Sequence, residues 1–455
     1  MTVLEAPEAL RENGIDHVVP VSRVYRFELV KLLAQWRVRG LLVVCALAPA
    51  LFVAGVSQQS SLPVDTLFGR WMHASGWAAP LVVLGFAGSW ALPLLTSLVA
   101  GDVFAAEDRL GTWRHLMVAV RSPRRIFVAK ALASLTVIVA LVLALMASGI
   151  VGGLAAVGNH PLVALDGQSL APSDAAGRVL LAWACVVAPT LALAAIGLLG
   201  SVALGRSPMG LALPAVVALG LQLAQLLPLP VAVRMALPGY AFIAWHGLFT
   251  TPAPTGQLLL AVVVALVWAV TATVCAYLLF LRRDVASGSQ DGAGRRALTT
   301  ALLPLVAVGA VTAGVLALAT GASGPGINQD EVQRSVATSF AHLYRRQTAE
   351  LNRPAVTEAQ LRSSAACTKG NGATPGQGAG NDWRCVVSWH LPDVDAVGTA
   401  IYQLDVSADG RYVADGDGPK EVNGYFLVRT PQGDAPNPLW QFDGDVELLS
   451  TTSEG

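Results

Sequence analysis

Charged and aromatic residues crowd into one short stretch of this chain, Glu107-Asp108-Arg109-Leu110-Gly111-Thr112-Trp113-Arg114-His115-Leu116-Met117, followed by Arg121-Ser122-Pro123-Arg124-Arg125. Their types suit mechanical contact rather than bond breaking. Thr112 after Gly111 is placed to cap a helix N-terminus, and Ser122-Pro123 is a cap and first-turn pair that starts the next helix. Between them fits a helix of about eight residues, roughly 12 Å long. It carries Trp113, Leu116, Met117 and Val120 on one side. A short rigid helix can seat in a groove on a soluble partner and pass its motion into the segments joined to it. The same residues also fit a solvated loop whose arginines only set membrane orientation.

Other chemistry is thin. The seven histidines are scattered, and neither an H-E-x-x-H zinc signature nor a G-x-x-x-x-G-K-[ST] phosphate loop occurs. The chain is therefore expected to be no enzyme and to carry no cofactor. His246 beside Trp245 reads as an interfacial residue. Asp405, Ser407, Asp409 and Gly410 partly imitate a calcium loop, but Gly416 stands where a bidentate glutamate belongs, so the segment reads as a hairpin. No basic face interleaved with aromatics is present, which argues against nucleic acid as a partner.

The elements that must position the charged stretch lie in lipid. Of 455 residues 54% are apolar and only 13% charged, against about 25% charged in soluble domains. A bilayer core of about 30 Å needs about 20 apolar residues in a helix. Seven stretches qualify, near 40–57, 79–101, 126–157, 179–204, 208–227, 256–281 and 298–320. The expected fold is an all-α polytopic membrane helix bundle of about seven transmembrane helices with a small C-terminal α+β extracytoplasmic domain. Its parts are a cytoplasmic N-terminus (1–39), a six-span core (40–283), a cytoplasmic linker (284–297), a seventh span (298–320) and the external domain (321–455). The start of the chain, Met1 to Val21, lacks an apolar core of its own and is not a signal peptide.

Positive charge sets orientation. Arg23, Arg26, Lys31, Arg37 and Arg39 precede the first span, and Arg109, Arg114, Arg121, Arg124, Arg125 and Lys130 lie in or beside the second connection. Arg206 sits in the fourth, and Arg282, Arg283, Arg295 and Arg296 in the sixth; the alternate connections hold only Arg70, Arg178 and Arg234. The basic loops are expected in the cytoplasm with the N-terminus, which leaves the tail outside. From Ile327 onward 10 Lys/Arg face 17 Asp/Glu, whereas the rest is basic, in keeping with the two parts lying on opposite sides of a plasma membrane. Residues Val21 to Arg39 place Val24, Phe27, Val30, Leu32 and Leu33 at helical spacing, and predict a surface helix that bends at Gly40; an extension of the first span into the cytosol is the other reading.

Mid-membrane ionisable residues are nearly absent, which argues against an ion-coupled carrier. Gln222 and Gln225 are the main polar exceptions, available either to touch a substrate or to hydrogen-bond between helices. Pro49, Pro93, Pro189, Pro214 and Pro304 are candidate kinks. The tail reads as a helix over 329–351 followed by strands near 384–390, 400–406, 411–414 and 424–429, with Asp409-Gly410 as a hairpin turn. A flexible Gly321 to Gly326 stretch tethers it. Cys367 and Cys385 flank a Gly-rich loop; if they pair, the compartment is oxidising and the closed loop of about 17 residues is worth roughly 3 kcal/mol. Cys45, Cys185 and Cys275 read as small hydrophobes within apolar runs.

Glu107, Gly111-Thr112, Leu116, Pro123, Arg125 and Lys130 resemble, in type and order, the cytoplasmic signature of ABC-2 type exporter permeases. The resemblance covers roughly residues 20 to 283 and extends to the amphipathic N-terminal helix, the six spans and a half-inserted segment, here Leu227 to Gly256 with Pro228, Pro230, Pro238 and Pro252. Trp113 and Val118 to Arg121 depart from the commoner pattern, as do the seventh span and the external domain. The resemblance implies that the helix from Gly111 to Val120, with Arg114 and Met117, docks on a separate ABC ATPase subunit that binds ATP and Mg. It implies a second permease copy, identical or homologous, beside this one among membrane lipids. It further implies export, and an apolar path with no buried charge is compatible with lipids, lipid-linked precursors or other amphipathic substrates. The alternative is a membrane receptor whose external domain senses a ligand.

Overall fold

In the computed structural model the described residues are 19–58, 71, 75–204, 209–227, 229–251, 253–283, 294–320, 326–391, 395–431 and 433–448. The polar start, Arg70, Arg206, Pro228, Pro252, most of the 284–297 linker and the 321–325 part of the tether lie outside them, as do the side chains of Arg295 and Arg296.

Long runs of leucine, valine and alanine become helices here because an apolar medium tolerates only segments that satisfy their own backbone N–H and C=O groups. In chain order the bundle contains α1 (Val21–Ala34), α2 (Trp36–Ser57), α3 (Gly76–Ala100), α4 (Ala105–Leu110), α5 (Trp113–Val120) and α6 (Pro123–Ala156). A small hairpin, β1 (Leu162–Val163) and β2 (Ser169–Leu170), leads to α7 (Pro172–Leu204), α8 (Met209–Leu223), α9 (Val231–Met235), α10 (Thr255–Arg282) and α11 (Gly294–Thr320). Among the described residues six helices are long and apolar enough to cross a membrane: α2, α3, α6, α7, α10 and the 299–319 part of α11. The chain is thus built as a multi-pass membrane protein.

The fifth stretch, expected at 208–227, is helical from Met209 to Leu223 and closes with a 3-10 turn at Ala224–Leu226. Leu227 is already extended (φ −80°, ψ 148°), the conformation that a following proline favours. The bend expected at Gly40 falls instead at Gln35 (φ −69°, ψ 127°), and Gly40 continues α2. Glycine permits a break without requiring one, and an unbroken helix keeps its hydrogen bonds.

Helix α7 is central, with 67% of its apolar window buried, whereas α2 and α11 bury 17% and lie at the periphery. Helix α6 approaches its neighbours through Ser148, Gly149, Gly152 and Gly153. A Cβ at Gly152 would stand 2.6 Å from the Ala50 Cα of α2, and Ser148 Oγ accepts the Ala50 N–H at 3.1 Å. Small residues allow this approach, which replaces the missing hydrophobic drive between helices in lipid. Within α3 the turn Ala87–Ala91 widens to a π-helix, and the Gly88 carbonyl accepts the Gln222 side-chain N–H at 2.9 Å. After α8 the chain turns back as α9, which packs on α11, and as two 3-10 turns, Pro238–Phe242 and Ala244–Phe249, packed between α7 and α10.

The tail folds as α12 (Gln329–Glu350), α13 (Glu358–Leu361), β3 (Ser364–Lys369), β4 (Gly380–His390), β5 (Val397–Val406), β6 (Arg411–Gly416), α14 (Lys420–Asn423), β7 (Leu427–Thr430), β8 (Gly433–Pro436) and β9 (Gln441–Asp445). An antiparallel sheet of order β3-β4-β5-β6-β9 packs against α12 through Phe340, Trp383, Tyr402 and Phe442. The strand expected at 424–429 begins later and pairs only with β8, while β3 and β9 complete the main sheet. Both lack the apolar alternation that marks a strand in sequence. Gly410, at φ +93°, makes the expected hairpin turn. Cys367 and Cys385 face each other across β3 and β4 and form a disulfide.

This domain rests on the end of the bundle opposite α5. Helix α6 starts beside α5 and runs 34 residues, about 51 Å, to the β1–β2 hairpin. There the Asp166 carbonyl meets His342 Nδ1 at 2.9 Å. Arg234 of α9, 1% exposed, donates to the Ala408 carbonyl of the domain.

Replacing Gly152 with valine forces α2 and α6 apart and is expected to cost about 1–3 kcal/mol, read as a lowered unfolding midpoint in detergent. G55A, at a position of α2 with open space around it, is expected to leave that midpoint unchanged or raise it.

Candidate functional site

The charged connection is not a solvated loop. It folds into two short helices pinned to the bundle by three buried carboxylates, Asp102, Glu107 and Asp108. Glu107 lies 2.7 Å from Lys130 Nζ on α6, is ion-paired with Lys31 on α1, and accepts the Thr112 hydroxyl. Lys130, 1% exposed, also reaches Glu28 of α1 at 2.8 Å. Asp102 pairs with Arg37 of α2 and with Arg109 at 2.6 Å. Asp108 takes two hydrogen bonds of 2.9 Å from Arg283, just past α10, and one of 2.8 Å from Trp113 Nε1. The seven residues 102–108 thereby hold α1, α2, α5, α6 and α10 together.

Burial pushes the Glu107 carboxyl up, but the Lys130 charge and hydrogen bonds from Lys130, Lys31 and Thr112 outweigh it and bring it down to about 2. Below the charges sits an aromatic cluster. The rings of Phe104 and Phe280 are 5.2 Å apart, Trp113 and Phe280 5.5 Å, and Phe127 and Phe280 5.8 Å. Ring pairs at such distances contribute beyond their buried area.

Helix α5 is set off as a separate rod by two left-handed residues, Gly111 (φ 66°) before it and Arg121 (φ 55°) after it. Thr112 and Ser122 stand at the N-cap positions as expected, yet neither side chain caps. Thr112 gives its hydroxyl to the Glu107 carboxylate, a charge-assisted bond stronger than a neutral cap. Trp113 and Val120 are buried, and Leu116 and Met117 are half-buried against the same core. The outward face carries Leu110, Gly111, Arg114, His115 and Val118. Pro123 opens α6, and Arg125 donates to the Val19 carbonyl at 2.7 Å, tying the start of α1 to it.

Gln222 and Gln225 lie far from this knot. Gln222 bonds the π-turn of α3, and Gln225 Nε2 donates to the Arg234 carbonyl at 3.3 Å. Both serve contacts between elements. Glu28, Lys31, Arg37, Asp102, Asp108 and Arg283 were not singled out as site residues by sequence reasoning. Glu28 did leave a trace, as the one acid between Val21 and Arg39.

Between α1, α2, α3 and α4 opens a groove of about 360 Å³, apolar along Leu41, Val44, Leu98 and Val103 and charged at its Lys31–Arg37 end.

K130M leaves Glu28 and Glu107 buried without their shared cation, and is expected to cost about 3–5 kcal/mol in thermal unfolding. The Glu107 carboxyl titrates lower in the folded protein than its ordinary 4.5. Its contribution to stability is complete above that value and disappears as pH falls toward 2. E107Q is therefore expected to flatten the loss of stability across that acid window, measured as unfolding midpoint against pH. No protein-family model and no curated protein matches the chain, so what this site does has to follow from its own residues.

Proposed function

We propose that this chain is the membrane-spanning permease subunit of an ATP-driven exporter, with α5 as the helix through which a separate ATPase moves the bundle. The observation that carries the proposal is the knot around Glu107 and Lys130. A rod exposed on one face and anchored on the other, through Thr112 and Trp113, to carboxylates paired with α1, α6 and the end of α10 transmits a push without absorbing it. Solvated loops that only set orientation need no buried carboxylates.

The chain's own parts divide the work. Leu110, Arg114, His115 and Val118 offer an exposed surface of mixed polarity to a soluble motor. Trp113, Leu116, Met117 and Val120 hold the rod to the aromatic cluster, and Lys130 and Arg283 carry its displacement into α6 and α10. ATP and Mg belong to the motor, since this sequence has no phosphate loop. Two permease copies would enclose the path. The scarcity of charge along the spans suits a lipid-like or amphipathic substrate. The basic connections support a cytoplasmic position for α5. The domain at the opposite end would then lie outside a plasma membrane, in keeping with its disulfide.

Cysteine labelling with a membrane-impermeant maleimide tests the sidedness. A cysteine in place of His115 is expected to react only once the inner face is opened, and one replacing exposed Ala373 is expected to react in intact cells. Reaction of both from one side overturns the assignment. For the coupling itself, R114E with V118D is expected to lower co-purification of an ATPase, and its hydrolysis in the complex, by about tenfold or more. Its unfolding midpoint should stay within the range of surface substitutions, about 0.5 kcal/mol. A chain that transports fully without any ATPase ends the proposal.

A further inference from the structure

A second cavity lies at the other end of the molecule, unrelated to α5. It measures about 270 Å³ and is closed on one side by the re-entrant turns and the start of α10, and on the other by α12 and the β6–β9 edge. Five carboxylates line it: Asp166, Glu331, Asp409, Asp445 and Glu447. Glu331 is paired with Arg334, and Asp409 with Arg411 at 2.8 Å. Asp445 and Glu447 have no ion-pair partner among the described residues.

Two deeply buried side chains on this cavity are left incomplete. His246, 6% exposed, has no hydrogen bond at Nε2, and Asp166, 4% exposed, has none at Oδ2, where His342 Nδ1 approaches only to 3.6 Å. Burial and the nearby Arg411 push the His246 imidazole down, so it is neutral. The Asp166 oxygen accepts hydrogen bonds, and the neutral imidazole has one accepting nitrogen. Burial, with Asp409 beside it, pushes the Asp445 carboxyl up to about 7. An ammonium group nearby would relieve that cost.

The chemistry asked for is a ligand rich in N–H donors and positive charge. A single metal ion is the poorer occupant. Among the described residues no three His, Cys, Asp or Glu side chains converge to hold one. The carboxylates instead belong to both walls, Asp166 to the bundle and Glu331, Asp409, Asp445 and Glu447 to the domain, which suits a ligand carrying more than one positive charge. We infer that this interdomain cavity binds a small aliphatic polyamine, held by Asp166 and His246 of the bundle and by Asp445 and Glu447 of the external domain. Bound there, the ligand joins the two parts and favours the docked arrangement. The inference stands apart from the ATPase proposal, because it uses none of the residues around α5.

Calorimetric titration of spermidine into the purified full chain in detergent tests it. Saturable binding is expected, together with a rise in unfolding midpoint that Mg²⁺ at matched ionic strength does not reproduce. D166N combined with D445N is expected to weaken binding by about tenfold or more, an affinity change of about 1.4 kcal/mol. E421Q, on the exposed α14, should bind like the unaltered protein. Spermidine binding weaker than about 1 mM overturns the inference, as does equal affinity in the folded double variant, or a midpoint rise from Mg²⁺ as large as that from spermidine. The titration and midpoint of the unaltered protein decide the matter even where the double variant does not fold.

Discussion

An ammonium group buried at the end of a membrane bundle is the constraint around which the rest is arranged. Lys130 is 1% exposed, and stripping such a group of water costs several kcal/mol unless opposite charge replaces the solvent. Glu28 and Glu107 supply that charge from two different elements. Neither carboxylate tolerates burial alone either, so each fixes the others' positions. Lys31 and Thr112 then fill the remaining acceptor sites of Glu107. Because these partners come from α1, α4 and α6, satisfying the charges and assembling this end of the bundle are the same event.

The opposite end is held by different physics. Close approach of α6 to α2 and to the start of α3 depends on missing side chains at Gly149, Gly152 and Gly153. The broken re-entrant segment would be intolerable in lipid with its backbone groups open. Here Trp268 donates to the Ala236 carbonyl at 2.8 Å and Arg178 to the Leu248 carbonyl at 2.6 Å, while α7 and α10 cover its sides. Irregular backbone is tolerated here because protein covers it. The C-terminal domain continues that burial, with Val231, Met235 and Tyr240 sharing one apolar cluster with Ile327, Val336 and Phe340.

Several elements were legible in the residues themselves. Ser122-Pro123 starts a helix because proline's missing N–H is harmless there, and α6 begins at Pro123. Asp409-Gly410 makes its turn because glycine accepts a positive φ. Other features had no local signature. Strand β9, with the sequence QFDGD, carries little strand propensity, and pairing with β6 makes it a strand. Whether Trp113 faced a partner or the bundle depended on Phe104, Phe127 and Phe280, which come from three separate segments. The Gln35 break between α1 and α2 likewise follows from where Glu28 and Arg37 must reach.

Composition and periodicity by themselves determined the membrane helices, the basic and acidic halves and the short rod between two spans, since each depends on neighbours along the chain. Which charges are buried, and against what, was decided only by the tertiary structure. Lys31, Arg37, Lys130 and Arg283 look alike in sequence as basic residues near helix ends. Folding left Lys130 1% exposed and Lys31 and Arg37 about a third exposed. The energy of a charge depends on the dielectric and partners around it, and those come from segments as far as 175 residues away.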